Sequence, residues 1–460
     1  MKMIKKHKIA LVLTPYKDRA FDTISIPLGL AWLNSYLKEN IEGIQIDNFD
    51  LLLQPEKEQE LLQNVQNGEY EVVGIQAHSN ATAHEALRIV YSIKEIDKKI
   101  ITVLGGNAAT FGAEEFLKSG NVDFVVFGEG EYTLTELLKE LFSRSFKFET
   151  VKGIIYKDAG KIIRTSKREL IEDLNELPLP DRDVFPWKEY PQWSIITSRG
   201  CPYSCTYCSS TKFWENRIRF RNADNIYKEI RLLVEKYSVK RLYILDDTFG
   251  ANKEETQKLL TRMINDKLYL EWACLTRAEI VSKEMLDLFK KAGCIQVHFG
   301  LETANLETQN LIKKHLDLHK LEEMVTYCQE IGIKTKLSVI FGLPNENSVH
   351  IMNTINYLKK LQPNEIQIYP LMPYVGIEIL EDKSISQLNP EHYHYKQDAL
   401  VPLAKSACLS TEEQIKLTRY AIEQFRALGY KWIPMDLSPD KHDELRIIKT
   451  VFAPIQGLKK

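Results

Sequence analysis

The 460-residue sequence lacks any strong excess of charge and any long apolar run. Its 61 Lys and Arg residues against 63 Asp and Glu residues leave a formal net charge of −2, which gives no electrostatic reason to expect a nucleic-acid partner. No apolar run approaches the ~18–20 residues of a transmembrane helix, and the run Ile9–Leu13 behind the charged N-terminus is too short for a signal peptide. We therefore expect a cytoplasmic protein with no membrane span.

Cysteine is scarce and unevenly distributed. The sequence has seven cysteines, with none in the first 200 residues and three within eight positions. Seven thiols without a secretory signal do not indicate a disulfide framework. Cys274, Cys294 and Cys328 lie in apolar or helical segments, and we interpret them as small buried hydrophobic residues. Cys408 carries no signal, so the group between Cys201 and Cys208 is the feature that needs an explanation.

The first part of the chain alternates short apolar runs with helical periodicity. Strands that are apolar throughout and alternate with helices indicate a parallel sheet covered on both faces. The predicted strands are Lys8–Thr14, Ile44–Phe49, Glu71–Ala77, Ile100–Leu104 and Val122–Phe127. We predict a doubly wound, Rossmann-like α/β domain over residues 1–148, whose ligand would lie beyond the carboxyl ends of the strands.

A connecting segment is predicted over residues 149–192. Lys152–Ser166 has two apolar arms around Asp158–Gly160 and predicts a β-hairpin. Four prolines follow within fourteen positions, a density that prevents regular structure and indicates a linker.

A second alternating series begins at residue 193. Its predicted strands are Ser194–Thr197, Arg241–Leu245, Glu271–Leu275, Ile295–Phe299, Lys334–Ile340 and Glu365–Tyr369. Six strand–helix repeats are fewer than the eight of a closed barrel, so we predict a partial (β/α)6 barrel over residues 193–375. Residues 376–460 form a small C-terminal region, mostly helical, with one amphipathic helix at Thr411–Leu428. The region after Pro373 is expected to help close the mouth of the barrel.

Cys201, Cys205 and Cys208 follow a C-x3-C-x2-C spacing in one loop after the first barrel strand. Structural zinc is one interpretation, but such sites are normally closed by four ligands, and no histidine follows at finger spacing. An iron–sulfur cluster held by three thiolates leaves one iron without a protein ligand. That open iron is what a small molecule needs to bind the cluster directly.

The cysteine loop, with Tyr207 just before the last cysteine, resembles the signature of the radical S-adenosylmethionine (SAM) family, and this resemblance implies that Tyr207 contacts SAM. The resemblance covers about residues 190–375 and implies a [4Fe–4S] cluster on Cys201, Cys205 and Cys208. It also implies that the fourth iron binds SAM, which one electron cleaves to a 5′-deoxyadenosyl radical inside the partial barrel. An electron donor such as flavodoxin or ferredoxin would then be a partner.

Residues at the ends of later strands match the family's SAM contacts. Asp247, with Asp246 before it, would hold the methionine ammonium group, although a helix cap is an alternative for both. Arg277 could pair with the methionine carboxylate or form an ordinary salt bridge. Glu302 resembles the family's ribose-binding acid. Gly342 lies in the segment that would contact adenine through its backbone, or in a plain turn that ends the strand.

The first domain lacks the G-x-G-x-x-G fingerprint of dinucleotide binding after its first strand. Its motifs instead resemble the cobalamin-binding domain of cobalamin-dependent radical SAM enzymes. They are the segment Pro27–Leu33, a glycine pair with Asn107, and a Gly-Glu-Gly-Glu run. The implied cobalamin contacts are Ser79, Thr82, Gly105, Gly106, Asn107, Gly128, Glu129 and Gly130.

One departure concerns the lower ligand of cobalt. Many cobalamin proteins place a histidine in D-x-H-x-x-G after the first strand, but Thr14–Phe21 contains none. We therefore predict a cobalamin without that ligand. His78 follows the third strand and could approach the lower face, although a solvated histidine is the more common case at such a position. A folded but empty domain is the alternative to cobalamin binding.

Both cofactors together imply an enzyme, most simply a methyltransferase. It would act through methylcobalamin and the 5′-deoxyadenosyl radical on an unactivated carbon or phosphorus centre of a small molecule. A cyclase or rearrangement enzyme without methyl transfer would use the same cofactors. A methylthiotransferase would need cysteines in the first domain, which has none. A non-enzymatic scaffold would leave the strand-end acids unexplained. No residue is assigned to the catalytic step on the substrate, whose identity the sequence does not reveal.

Overall fold

A computed structural model of the chain describes residues 6–15, 25–371, 376–383, 385–387, 404–433 and 450–454. The described residues fall into two compact units. The first holds residues 6–15 and 25–191 with Gly376, and the second holds residues 192–371 and the described residues from Ile377 onward. Among these residues, no helix has both the length and the apolar character that crossing a bilayer requires.

The first unit is an α/β sheet with helices between its strands. Its strands are β1 (His7–Leu13), β2 (Ile44–Asp50), β3 (Val72–Gln76), β4 (Ile101–Gly105), β5 (Phe124–Val126), β6 (Ile154–Asp158) and β7 (Lys161–Arg164). Its helices are α1 (Leu28–Asn40), α2 (Lys57–Gln66), α3 (Asn80–Ile96), α4 (Asn107–Lys118) and α5 (Gly130–Ser143).

The strands of the first unit lie in the order β2-β1-β3-β4-β5-β6-β7, and β1 to β5 are parallel. Successive residues of β1 enter different cores: Ile9 and Leu11 join one apolar cluster, and Ala10 and Val12 join the other. Alternation along a strand sends side chains to opposite faces. The sheet is therefore buried on both faces, which confirms the doubly wound fold expected from the sequence.

The predicted hairpin is present, and it extends the first sheet. Strand β6 pairs antiparallel with β5, and β7 pairs with β6. Ala159 and Gly160 supply the turn with φ of 45° and 82°. Ile154 and Ile155 are fully buried, which explains why a segment expected in the linker packs onto the sheet instead.

The second unit is a longer strand–helix series. Its strands are β8 (Ser194–Ile195), β9 (Ser198–Gly200), β10 (Ile218–Phe220), β11 (Arg241–Ile244), β12 (Glu271–Thr276), β13 (Cys294–Glu302), β14 (Lys334–Phe341), β15 (Glu365–Pro370), β16 (Ile385–Gln387), β17 (Ala404–Ser406), β18 (Tyr430–Ile433) and β19 (Thr450–Pro454). Its helices are α6 (Ser209–Phe213), α7 (Ala223–Tyr237), α8 (Lys253–Asn265), α9 (Lys283–Lys291), α10 (Leu306–Leu311), α11 (Leu318–Glu330), α12 (Ser348–Leu361) and α13 (Thr411–Ala427).

Six parallel strands in the order β15-β14-β13-β12-β11-β8 form the predicted partial barrel. Because the strands are parallel, the loops after β8, β11, β12, β13 and β14 emerge at one edge. Two antiparallel strands, β19 and β18, extend the sheet beyond β15, which the sequence did not predict. The C-terminal helix α13 is confirmed and begins with a capping box between Ser410 and Glu413. Much of the rest after Pro373 lies outside the described residues.

Candidate cluster and cofactor sites

The cysteine loop joins β9 to the short helix α6. Cys205 is buried, and Cys201 and Cys208 are partly exposed free thiols. The Cys205 carbonyl accepts hydrogen bonds from the Cys208 amide at 3.2 Å and the Thr211 hydroxyl at 3.1 Å. Burial, with the nearby Asp247 and the other two cysteines, raises the pKa of the Cys208 thiol to about 11. The loop thus brings three thiols into electrostatic range of one another.

Arg277, directly after β12, braces this loop. Its Nη2 donates to the Lys314 carbonyl at 2.6 Å, its Nη1 lies 3.8 Å from the Cys205 sulfur, and its guanidinium stacks 3.8 Å from the centre of the Tyr203 ring. Its Nε also faces Glu279 at 3.3 Å. A planar guanidinium suits such combined stacking and forked donation. The structure therefore gives Arg277 partners on the cysteine loop itself.

The two acids after β11 have different surroundings. Asp246 is buried and accepts hydrogen bonds from the Thr197 amide at 2.6 Å and the Ser198 hydroxyl at 2.7 Å, so it fixes the β8–β9 connection. Asp247 accepts from the Ser210 hydroxyl at 3.0 Å. Burial and the neighbouring Asp246 raise the pKa of Asp247 to about 6. Asp247 is therefore the acid that lies beside the cysteine loop.

Glu302 and Tyr207 meet at a buried lysine. The Lys314 ammonium lies 3.2 Å from Glu302 Oε1 and 3.3 Å from the Tyr207 hydroxyl oxygen. Glu302 has a φ of 63°, and the β13–β14 register shifts between Gly300 and Glu302. A Cβ on Gly300 would lie 2.3 Å from Glu302 Oε1 and 2.9 Å from the Lys314 ammonium. Glycine at position 300 thus leaves the space in which this ion pair forms.

Lys314 is the site residue that the sequence analysis missed. It belongs to no recognised motif, and its position depends on Lys313 and His315, which adopt φ values of 52° and 49°. Such left-handed backbone in non-glycine residues is uncommon and gathers at functional sites. The Lys313 and Lys314 amides bond the nearby Asn310 and Gln309 carbonyls, but the Lys314 side chain meets Tyr207 and Glu302, which lie outside this segment. The sequence Ile312–Leu316 therefore gives no local signal for the site.

Gly342 ends the neighbouring strand β14 in a turn that needs glycine. Its φ is 95°, and a Cβ would lie 2.7 Å from the Gln414 side-chain nitrogen. The Gly342 amide donates to Glu346 Oε2 at 2.7 Å. The structure thus places one of the sequence-predicted SAM residues, Tyr207, within the cysteine loop. The others lie at or just after the ends of successive barrel strands: Asp247, Arg277, Glu302 and Gly342.

The donor set of this edge fits an iron–sulfur cluster with SAM. Three mutually interacting thiols supply soft thiolate ligands, and the loop provides no fourth protein ligand. Each thiolate would bind a different iron of the cluster, so the three need not converge on one metal-sized position, and no such convergent group of His, Cys, Asp or Glu side chains occurs among the described residues. Asp247 and Lys314 offer the opposite charges that an amino acid's ammonium and carboxylate groups require. The residues present therefore fit the groups that this site would hold.

In the first unit, three strand-end loops are bonded to one another. The Ala77 carbonyl, after β3, accepts from the Ala108 and Ala109 amides at the start of α4, at 3.0 and 3.3 Å. The Thr110 hydroxyl donates to the Gly106 carbonyl at 2.9 Å and accepts from the Gly128 amide at 3.1 Å. Thr110 was absent from the sequence-predicted set, yet it links the loops after β4 and β5.

The glycines predicted to contact cobalamin fall into two groups, according to the space around them. A Cβ on Gly105 or Gly128 would meet no atom within 4 Å, so the backbone there is open to a large ligand. By contrast, a Cβ on Gly106 would lie 2.8 Å from the Ala77 carbonyl oxygen, and one on Gly130 would lie 3.3 Å from Leu33. These two glycines serve close packing.

The polar members of the set have structural partners as well. Ser79 and Thr82 form a capping box at the start of α3, and Glu129 accepts from the Ile171 amide at 2.8 Å. Asn107 opens α4, and the His78 side chain is exposed. The open backbone at Gly105 and Gly128 is thus the feature of this edge that fits a flat ligand such as a corrin.

Two family models match the chain, one in each unit. The B12 binding domain model matches residues 19–138. The radical SAM superfamily model matches residues 195–358, which include the cysteine loop and five of the six barrel strands. Both domains of a cobalamin-dependent radical SAM enzyme are therefore present in this chain. The cofactors that these two domains take are a [4Fe–4S] cluster with SAM, and cobalamin.

Relatives of this radical SAM enzyme include an uncharacterised methyltransferase from Pyrococcus horikoshii, 29% identical over 433 residues that cover 92% of this chain and 93% of that protein. The anaerobic magnesium-protoporphyrin IX monomethyl ester cyclase of Rubrivivax gelatinosus is 27% identical over 74% of this chain and 62% of the cyclase. Among solved structures, the radical SAM methyltransferase TsrM from Kitasatospora setae, with cobalamin and a [4Fe–4S] cluster bound, aligns with a TM-score of 0.75 and 16% identity over 92% of this chain and 89% of TsrM. That likeness concerns the fold.

Proposed function

We propose that this protein is a methyltransferase that transfers a methyl group from SAM to an unactivated centre of a small molecule. The observation that carries the proposal is the joining of a B12 binding domain to a radical SAM barrel in a chain that aligns over 92% of its length with a methyltransferase. When bound, the cluster supplies the electron that cleaves SAM, and cobalamin supplies a carrier for the methyl group.

The chain's own residues would divide the work of holding SAM. Cys201, Cys205 and Cys208 would ligate the cluster, and Arg277 would brace their loop and place a positive charge against it. Asp247 would accept from the methionine ammonium group. The Lys314–Glu302 pair would act as a unit, with the Lys314 charge available to a carboxylate and Glu302 accepting from a hydroxyl. Gly342 would let the backbone of its turn approach the adenine.

The first unit would hold cobalamin against the open backbone of Gly105 and Gly128. Thr110 would keep the loops after β4 and β5 at a fixed separation. Ser79 and Asn107, at the starts of helices α3 and α4, would offer polar groups to the corrin side chains or the nucleotide tail. We also propose that a small electron-transfer protein such as a flavodoxin or ferredoxin reduces the cluster, and that the enzyme works in the cytoplasm, where thiols stay reduced.

A second candidate is a cyclase that uses the same cofactors without methyl transfer. The cyclase relative from Rubrivivax gelatinosus supports it, because it aligns over 74% of this chain. The two candidates differ in the fate of the SAM methyl group. A cyclase would leave that group on methionine, whereas a methyltransferase would leave S-adenosylhomocysteine.

The test follows the methyl group in protein reconstituted anaerobically with iron, sulfide and cobalamin. The enzyme is given a reductant and SAM labelled with deuterium in its methyl group, and the small-molecule products are measured by mass spectrometry. A methyltransferase should form S-adenosylhomocysteine up to about one equivalent per bound cobalamin before any acceptor is added. Protein without cobalamin should form none. If 5′-deoxyadenosine forms while S-adenosylhomocysteine does not, the methyltransferase proposal is wrong and the cyclase becomes the working assignment.

A further inference from the structure

The turn Phe341–Leu343 is held by a buried carboxyl group. Glu346 has no exposed surface. Its Oε2 accepts hydrogen bonds from the Gly342 amide at 2.7 Å and the Leu343 amide at 3.2 Å. One side chain thus bonds two successive amides at the end of strand β14.

The C-terminal helix α13 reaches the same turn. Gln414, in the first turn of that helix, donates from Nε2 to the Phe341 carbonyl at 2.8 Å. Its amide fills the space above Gly342, where a Cβ would lie 2.7 Å from Nε2 and 2.8 Å from Oε1. Ser406, just before the helix, also donates to the Glu346 carbonyl at 3.3 Å. The region after residue 403 therefore contacts both the turn and the acid that holds it.

Glu346 is suited to this place as a neutral acid. Burial raises the pKa of Glu346 to about 8, although its bonds to the two amides and the nearby Thr303 act in the opposite direction. A protonated carboxyl keeps one oxygen as an acceptor for the amides without the cost of burying a charge. A glutamine at this position would keep the same acceptor, which makes the role testable.

We propose that Glu346 and Gln414 are positioning residues that together hold the Phe341–Leu343 turn in the geometry that receives the adenine of SAM. Helix α13 thereby contributes to SAM affinity from outside the barrel. This inference rests on the proposed SAM site, because Glu346 and Gln414 can affect SAM affinity through the turn only if Gly342 lies against adenine.

The polar side chain of Gln414 indicates a role beyond packing. Within the described residues, Gln414 Oε1 is buried without a hydrogen-bond partner, which costs stability that an apolar side chain of similar size would not. The bond that Gln414 does make goes to the backbone of the turn. A residue that only filled the core would not need an amide group at position 414.

The experiment measures SAM affinity by equilibrium dialysis in anaerobically reconstituted protein. Gln414→Leu and Glu346→Leu should each weaken SAM binding about tenfold, the effect of losing one or two hydrogen bonds, with iron content unchanged. Glu346→Gln should bind within about twofold of the parent protein. Gln424→Leu is the matched control, because Gln424 lies on the same helix and bonds Lys359 instead. If Gln414→Leu does not fold, Gln414→Ala takes its place.

Affinity for S-adenosylhomocysteine should fall in parallel, because it shares the adenosyl group. If a Gln414 variant has a lowered thermal midpoint but binds SAM like the parent, the role of Gln414 is purely structural. That result would overturn this inference and leave the proposed SAM site intact. Absence of SAM binding by the parent protein, despite a full complement of iron, would overturn the proposed SAM site and the inference with it.

Discussion

At the scale of single residues, Gly300 shows how an absent side chain can define a site. The Lys314–Glu302 ion pair occupies the position where its Cβ would project. Both clashing atoms are at the ends of flexible side chains, so Gly300→Ala should fold and displace the pair. Losing a charge-assisted hydrogen bond should raise the dissociation constant for SAM about tenfold or more, measured by equilibrium dialysis with iron content as the folding check.

A double-substitution cycle isolates the cause of that effect. If Gly300→Ala acts by displacing the Lys314–Glu302 pair, it should have little further effect in a background in which both residues are alanine. Equal additional losses in both backgrounds would show that the substitution acts through the backbone of β13 instead.

Thr110 makes a comparable contribution in the first unit through one hydroxyl. Thr110→Val keeps the shape but removes the hydroxyl bonds to the Gly106 carbonyl and the Gly128 amide. The carbonyl keeps its bond from the Thr110 amide, whereas the Gly128 amide loses its bond to this side chain. We expect cobalamin affinity to fall several-fold, roughly what one or two lost hydrogen bonds produce, as followed by absorbance titration. Thr110→Ser, which keeps the hydroxyl, should bind like the parent. Equal affinities in the Val and Ser variants would rule out the bridging role.

These residues also mark the limit of sequence reasoning at this scale. The spacing of Cys201, Cys205 and Cys208 identifies them in the sequence, because all three lie in one loop. Lys314 has no distinctive neighbour in the sequence. Thr110 follows the glycine pair closely, but its second partner, Gly128, lies in another loop. Their partners become apparent only when the strands have brought those loops together.

At the scale of elements, the barrel and the first sheet could be predicted because their signals are local. Apolar runs separated by helical periodicity identify each parallel strand, and all six predicted barrel strands are present. The sequence did not predict in the same way that the β6–β7 hairpin joins the first sheet, or that β18 and β19 join the second. Their pairing depends on partners distant in sequence, and periodicity within a segment does not say which edge it joins.

The cysteine loop behaves as an element whose brace is Arg277. Arg277→Lys keeps the charge but loses the stacking on Tyr203 and the forked donation. We expect the reconstituted variant to lose iron several-fold faster to a chelator than the parent, since a looser loop opens more often. Arg241→Lys, a change in an exposed arginine that pairs with Glu271, provides the control. Identical iron loss in the two variants would remove Arg277 from this role.

At the scale of the whole molecule, Glu346 links stability to pH. Its pKa of about 8 in the folded protein lies above the ordinary value of 4.5. Between these two values the unfolded chain has released the proton while the folded chain retains it, so stability falls as pH rises through this window. The slope is at most about 1.4 kcal/mol per pH unit.

Glu346→Gln removes that linkage. The variant's thermal midpoint, relative to the parent's, should therefore rise steadily from about pH 5 to about pH 8 and then level off. Calorimetry at several pH values measures it. A difference that stays constant with pH would show that Glu346 is ionised in the folded protein.

The β6–β7 hairpin has a consequence for how the molecule behaves in a crowded solution. Without it, the first sheet would end at the apolar strand β5, and an unpaired edge of that kind recruits strands from other chains. Instead the edge is β7, which has four residues and exposed cations at both ends, Lys161 and Arg164. A short edge with positive charges disfavours pairing with another copy of itself, so the hairpin protects this edge of the sheet against aggregation.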